Sequence, residues 1–154
     1  MTDDQLEGSH DPWTVAAAYL RHHRQKNDAD FWAWEEAHTY LQTDPEKAWQ
    51  VLLALLLQAE WTELDYVAAG ILEDLCQDHA AEFIDRIEAQ AQEDPKFLAA
   101  LATVWLNSWG MDARLVVRLV AASGGQLVPD SYDPADADSA WERFLRDGEP
   151  PRDV

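Results

Sequence analysis

The stretch Pro45 to Ala59, PEKAWQVLLALLLQA, constrains this chain more than any other. From Ala48 onward its apolar residues leave no polar stripe: Val51, Leu52, Leu53, Leu55, Leu56 and Leu57, with Trp49 behind them, point all the way round a helix. A helix that is apolar on every side is expected to be covered on every side. At about fifteen residues it is too short to span a bilayer. The pattern therefore predicts a central helix, with Trp49, Leu52, Leu53 and Leu56 buried, inside an all-α domain.

The flanking segments repeat one punctuation mark. Asp-Pro stands at Asp11-Pro12, Asp44-Pro45, Asp94-Pro95 and Asp133-Pro134, each time ahead of a helical pattern. Aspartate is a good N-cap acceptor, and proline in the first turn forfeits no intrahelical hydrogen bond. Periodicity places helices over 12–24, 30–42, 45–59, 62–78, 80–92, 95–108 and 112–122, with a short last one over 135–146. The sixth is expected to bury Leu98, Leu101, Val104 and Trp105. A looser segment, 126–134, has room for a short extended piece, and no stretch alternates long enough for a sheet. The expectation is seven or eight helices in one domain over 11–146, as a compact bundle or a short HEAT-like array of helical hairpins. Residues 1–10 and 147–154 read as a frayed start and a mobile tail.

The middle of the chain resembles a family of small bacterial helical domains of unknown function. The matching residues are Pro45-Glu46-Lys47-Ala48-Trp49, Ala68-Ala69-Gly70-Ile71-Leu72-Glu73-Asp74-Leu75, Phe83-Ile84-Asp85-Arg86-Ile87-Glu88 and Asp94-Pro95-Lys96-Phe97. Ile71 stands where that pattern often has proline, which implies an unkinked helix here. The resemblance supports the helical fold and brings no activity with it.

Charge narrows the function classes. Thirty acidic residues against 11 basic ones give a net charge of −19, which repels phosphate backbones and anionic membranes and favours basic partners. Cys76 is the single cysteine, so no internal disulfide forms. Its acidic neighbours argue against a reactive thiolate. Glu35-x-x-His38 has the spacing used in di-iron bundles, but no second Glu-x-x-His pair accompanies it. His22 and His23 diverge by about 100° on a helix. No catalytic constellation, metal site or cofactor site is therefore expected. The tryptophans read first as packing residues and second as the lining of a small-molecule pocket between helices. The N-terminus lacks a charged stretch followed by an apolar run, which points to the cytoplasm.

The remaining candidate is an acidic run from Glu60 to Asp94, eleven acids against Arg86 alone. Glu63, Gly70, Glu73 and Asp74, with Asp78, Glu82 and Asp85 beyond, are expected to form one partner-binding face, Gly70 supplying a notch. The leading expectation is an acidic cytoplasmic protein, not an enzyme, that engages a basic protein surface. An immunity protein or a nucleic-acid mimic facing a cationic toxin or nucleic-acid-binding protein fits that size and charge. The alternatives are a small-molecule-binding protein or enzyme with a tryptophan-lined pocket, and a domain acidic only for solubility.

Overall fold

A computed structural model describes residues 10–108 and 110–129. Among them are six helices of two turns or more: α1 (Pro12–Gln25), α2 (Phe31–Thr43), α3 (Pro45–Gln58), α4 (Glu73–Glu93), α5 (Pro95–Ala102) and α6 (Ala113–Ala122). A single turn, Leu64–Val67, and a π-turn, Ala68–Leu72, lie between α3 and α4. The fold is all-α. The one strand pairing is parallel and two residues long, β1 (Trp105–Leu106) with β2 (Val128–Pro129), and β2 falls inside the segment expected to hold an extended piece. The helix expected over 135–146 lies outside the described residues. The chain divides into two compact units between Val67 and Ala68.

In the first unit α1, α2 and α3 each pack against the other two. The Asp-Pro signals act as expected: Asp11 accepts the Thr14 amide at 2.9 Å and Asp44 the Lys47 amide at 3.2 Å, satisfying donors that the first helical turn leaves open. The core is built from Val15, Tyr19 and Leu20 of α1, Ala33 and Leu41 of α2, and Trp49, Leu52, Leu55 and Leu56 of α3. The expectation that α3 is covered on every side needs correcting. Leu53 is only half-buried and Leu57 is 71% exposed. Gln50 and Glu46, exposed about one and two turns before Leu53, mark the outer face, and steps of three and four residues carry it on to Leu53 and Leu57.

In the second unit α4 packs against α5 and α6. Leu75, Ile84 and Ile87 of α4, Phe97 and Leu101 of α5, and Val117 and Leu119 of α6 are buried. Asp94 caps α5 through the Lys96 and Phe97 amides, and Asp112 caps α6 through Arg114. The boundary expected between the fourth and fifth helices is present as a kink: α4 is continuous in hydrogen bonding, but His79 is non-helical at φ −133°, ψ 24°. The helix was not expected to be kinked near Ile71, yet the backbone widens into the π-turn there, with Gly70 inside it. The sixth helix is shorter than its periodicity suggested, ending at Ala102. Val104 is buried as expected, but Leu98 is 37% and Trp105 58% exposed.

Leu52→Ala should cost about 2–5 kcal/mol through lost transfer energy and a cavity. Leu57→Ala, five residues further along α3, should stay within about 0.5 kcal/mol. Urea unfolding of the two variants measures both, and equal losses would contradict this orientation of α3.

Candidate functional site

The residues expected on one acidic face have separate surroundings. Glu63 belongs to the first unit and the other six to the second. Glu63 is buried at 9% exposure, and its carboxylate takes a two-pronged bond from Arg24, Nε and Nη2 each at 2.7 Å. It also accepts the Glu60 amide at 2.9 Å. The Arg24 guanidinium, followed by the Glu60 amide, pulls the carboxyl down to about 2 against the cost of burial. A carboxylate so occupied ties α1 to the turn at 61–63. Gly70 is half-buried within the π-turn, so its local task is the widened backbone.

On α4 the kink at His79 separates Glu73, Asp74 and Asp78 from Glu82 and Asp85. Beyond the kink, Glu82 bonds His79 at 3.1 Å. Asp85 and Glu88 share the Arg118 guanidinium of α6 at 3.0 and 2.6 Å. Before the kink, α4 holds an extended segment by its backbone. Glu73 Oε2 accepts the Trp105 amide at 3.0 Å. Gln77 accepts the Asn107 amide at 3.0 Å and donates to the Asn107 carbonyl at 2.6 Å, as a neighbouring strand would. Leu106 between them is buried, while the Trp105 side chain stays 58% exposed. A large aromatic is thus pinned in the open beside Glu73, with Asp74 partly exposed and Asp78 exposed on the same stretch of helix.

The model of a family of unknown function, DUF6869, matches residues 21–124. The chain belongs to this family. The matched span contains every candidate residue discussed above and both halves of α4. Comparison with curated proteins and with solved structures gives no match. Family membership therefore accords with the helical fold and carries no activity to any residue.

Other chemistry expected or weighed from sequence falls out as follows. Glu35 is exposed, and His38 stacks on Trp34 at 3.9 Å with Nδ1 on the Trp34 carbonyl. Among the described residues no group of three or more His, Cys, Asp or Glu has the placement to hold a metal ion. Cys76 is fully buried, and burial, with Glu73 adding to it, pushes its thiol up to about 12. No helix among the described residues is long and apolar enough to cross a membrane. Among the described tryptophans Trp49 is covered, but Trp13 is 55% and Trp61 59% exposed, more than a packing role requires. A cavity of about 530 Å³ is lined by Glu88, Gln92, Leu98 and small residues of α6, with no tryptophan. The exposure of Trp105 was not expected from the sequence. The β-branched pair Thr103-Val104, poor in a helix interior, was the available sign that the helix stops there.

Glu63→Gln should cost about 1–3 kcal/mol at neutral pH, the usual penalty for a charged hydrogen-bonding group deprived of its partner. Because the folded-state pKa is depressed, the stability this carboxylate adds is present above about pH 4.5 and lost as pH falls towards 2. Denaturation of both proteins across that window checks it: the gap between them should close on acidification.

Proposed function

We propose that this protein is an acidic cytoplasmic binding protein, not an enzyme, that engages a basic protein surface through the first half of α4 and Trp105. The observation that carries the reading is Trp105 itself, 58% exposed and tied by its amide to Glu73. An exposed aromatic whose backbone is held by a helix carboxylate suits an arginine- or lysine-rich partner. The indole face attracts the cation, the exposed Asp78 on the same stretch of helix adds charge pairing, and ordering costs little because the segment is already held in place. Tryptophan and arginine are the residues that most often anchor such interfaces.

A chain of net charge −19 also draws a cationic partner in from a distance and repels nucleic acid and anionic membranes. An immunity protein or nucleic-acid mimic bound to a cationic toxin or nucleic-acid-binding protein is one form this function takes. The contribution of each group then differs by place. Asp78 and Glu82 speed encounter, Trp105 slows dissociation, and Glu73 acts through the backbone it holds.

The test is a pull-down from native lysate at low and high salt, followed by binding kinetics of the recovered partner with variants. Asp78→Lys with Glu82→Lys should lower the association rate about tenfold or more and flatten its salt dependence. Trp105→Ala should raise the dissociation rate, with a loss of about 2 kcal/mol or more typical of an anchor residue. Binding indifferent to salt and to all three changes would refute the reading.

A further inference from the structure

In the first unit a cavity of about 250 Å³ is lined by His22, His23, Lys26 and Tyr66. We propose that it is a binding site for a small oxyanion, a phosphate or a carboxylate, with Lys26 as the charged ligand. The proposal is independent of the acidic face on α4, since it rests on different residues and the opposite charge.

The first argument is the backbone of Lys26. It ends α1 in the left-handed region, φ 53°, ψ 43°, its amide bonded to the His22 carbonyl at 2.8 Å, and among the described residues it is the sole non-glycine with positive φ. Glycine fills such helix-ending positions without strain. Lysine there accepts a conformational cost that glycine avoids, and strain of this kind collects at functional sites.

The second argument is how the local charges are spent. Residues 21–26, RHHRQK, gather three of the chain's 11 basic residues and two of its five histidines. Arg21 is bound to Asp30 at 3.0 Å and Arg24 to Glu63 at 2.7 Å. Asp30 and Glu63 are also the carboxylates whose ionisation His22 and His23 respectively favour, so each is already matched by a guanidinium. Among the described residues Lys26 has no ion pair. Its exposed side chain borders the cavity, so in a protein of net charge −19 it is a cation left over for an anionic ligand.

The third argument is the fixed orientation of the other walls. The His22 Nδ1 donates to the Asn27 carbonyl at 2.7 Å, which fixes the ring, and Nε2 becomes a donor for an oxyanion when the ring is protonated. The His23 ring stacks on Tyr66 at 3.7 Å, 18° from parallel, and the Tyr19 ring packs against Tyr66 at 5.6 Å. Protonated imidazoles donate from both nitrogens, and charge-assisted donors of this type bind oxyanions best. Two adjacent histidines with a lysine do not make a cation site, which leaves anions as the class that fits.

The test is titration of the intact protein with inorganic phosphate and, separately, acetate, against sodium chloride of equal ionic strength, following the histidine ring signals by NMR. Saturable shifts at His22 and His23 with phosphate, acetate or both support the site. A response to phosphate alone assigns a phosphate ligand, and a response to acetate assigns a carboxylate. Lys26→Gly should weaken that binding about tenfold, the worth of one charged hydrogen bond, while raising the melting temperature by relieving the left-handed lysine. Lys26→Met should weaken binding similarly without the gain in stability. Absence of saturation with both anions, or undiminished binding in Lys26→Gly, would overturn the proposal.

Discussion

Thirty carboxylates on 154 residues repel one another in the folded state, and self-repulsion of this size destabilises a compact chain. The fold depends on how its few cations are spent against that repulsion. Where an arginine joins segments distant in sequence, it takes the carboxylates of its target in pairs or two-pronged. Arg24 of α1 closes on Glu63, 39 residues away, and Arg118 of α6 takes both Asp85 and Glu88 of α4. Guanidinium suits this task because its planar fork binds two oxygens at once and stays charged. Exposed single pairs contribute little; Glu63 differs because it is buried and would otherwise be an uncompensated charge.

What was legible in the sequence was local chemistry. Asp11, Asp44 and Asp94 mark helix starts because capping needs nothing beyond the next three residues. What was not legible depended on partners far along the chain. The apolar period of α5 continues through Val104 and Trp105, so a longer helix was the natural reading. The backbone there is instead satisfied by Glu73 and Gln77, about 30 residues earlier, and such tertiary bonds outweigh helix propensity. Leu57 illustrates the reverse case, since a run of leucines says nothing of which one lies beneath no neighbour.

The candidate acidic face meets a related constraint. Projecting Glu63, Glu73, Asp78 and Asp85 onto one surface assumes 3.6 residues per turn throughout. The π-turn at Ala68–Leu72 and the non-helical His79 each break that arithmetic. Through such irregularities, charge spacing in sequence stops predicting proximity. The residues that keep a common setting are those within one uninterrupted stretch, Glu73 to Asp78, and that stretch is where α4 holds Trp105.

The two proposed sites follow from one imbalance read in opposite directions. Acid is abundant, so an exposed carboxylate is unremarkable and gains meaning only beside something costly, such as a large apolar ring left in water. Cations are scarce, so an unmatched one is informative by itself, and more so when its backbone is strained to hold it. Both sites therefore rest on an expense that folding alone does not explain. For Trp105 the expense is exposed apolar area, recovered when a partner covers it. For Lys26 it is a left-handed, non-glycine residue at the end of α1, at a position that glycine would fill without strain.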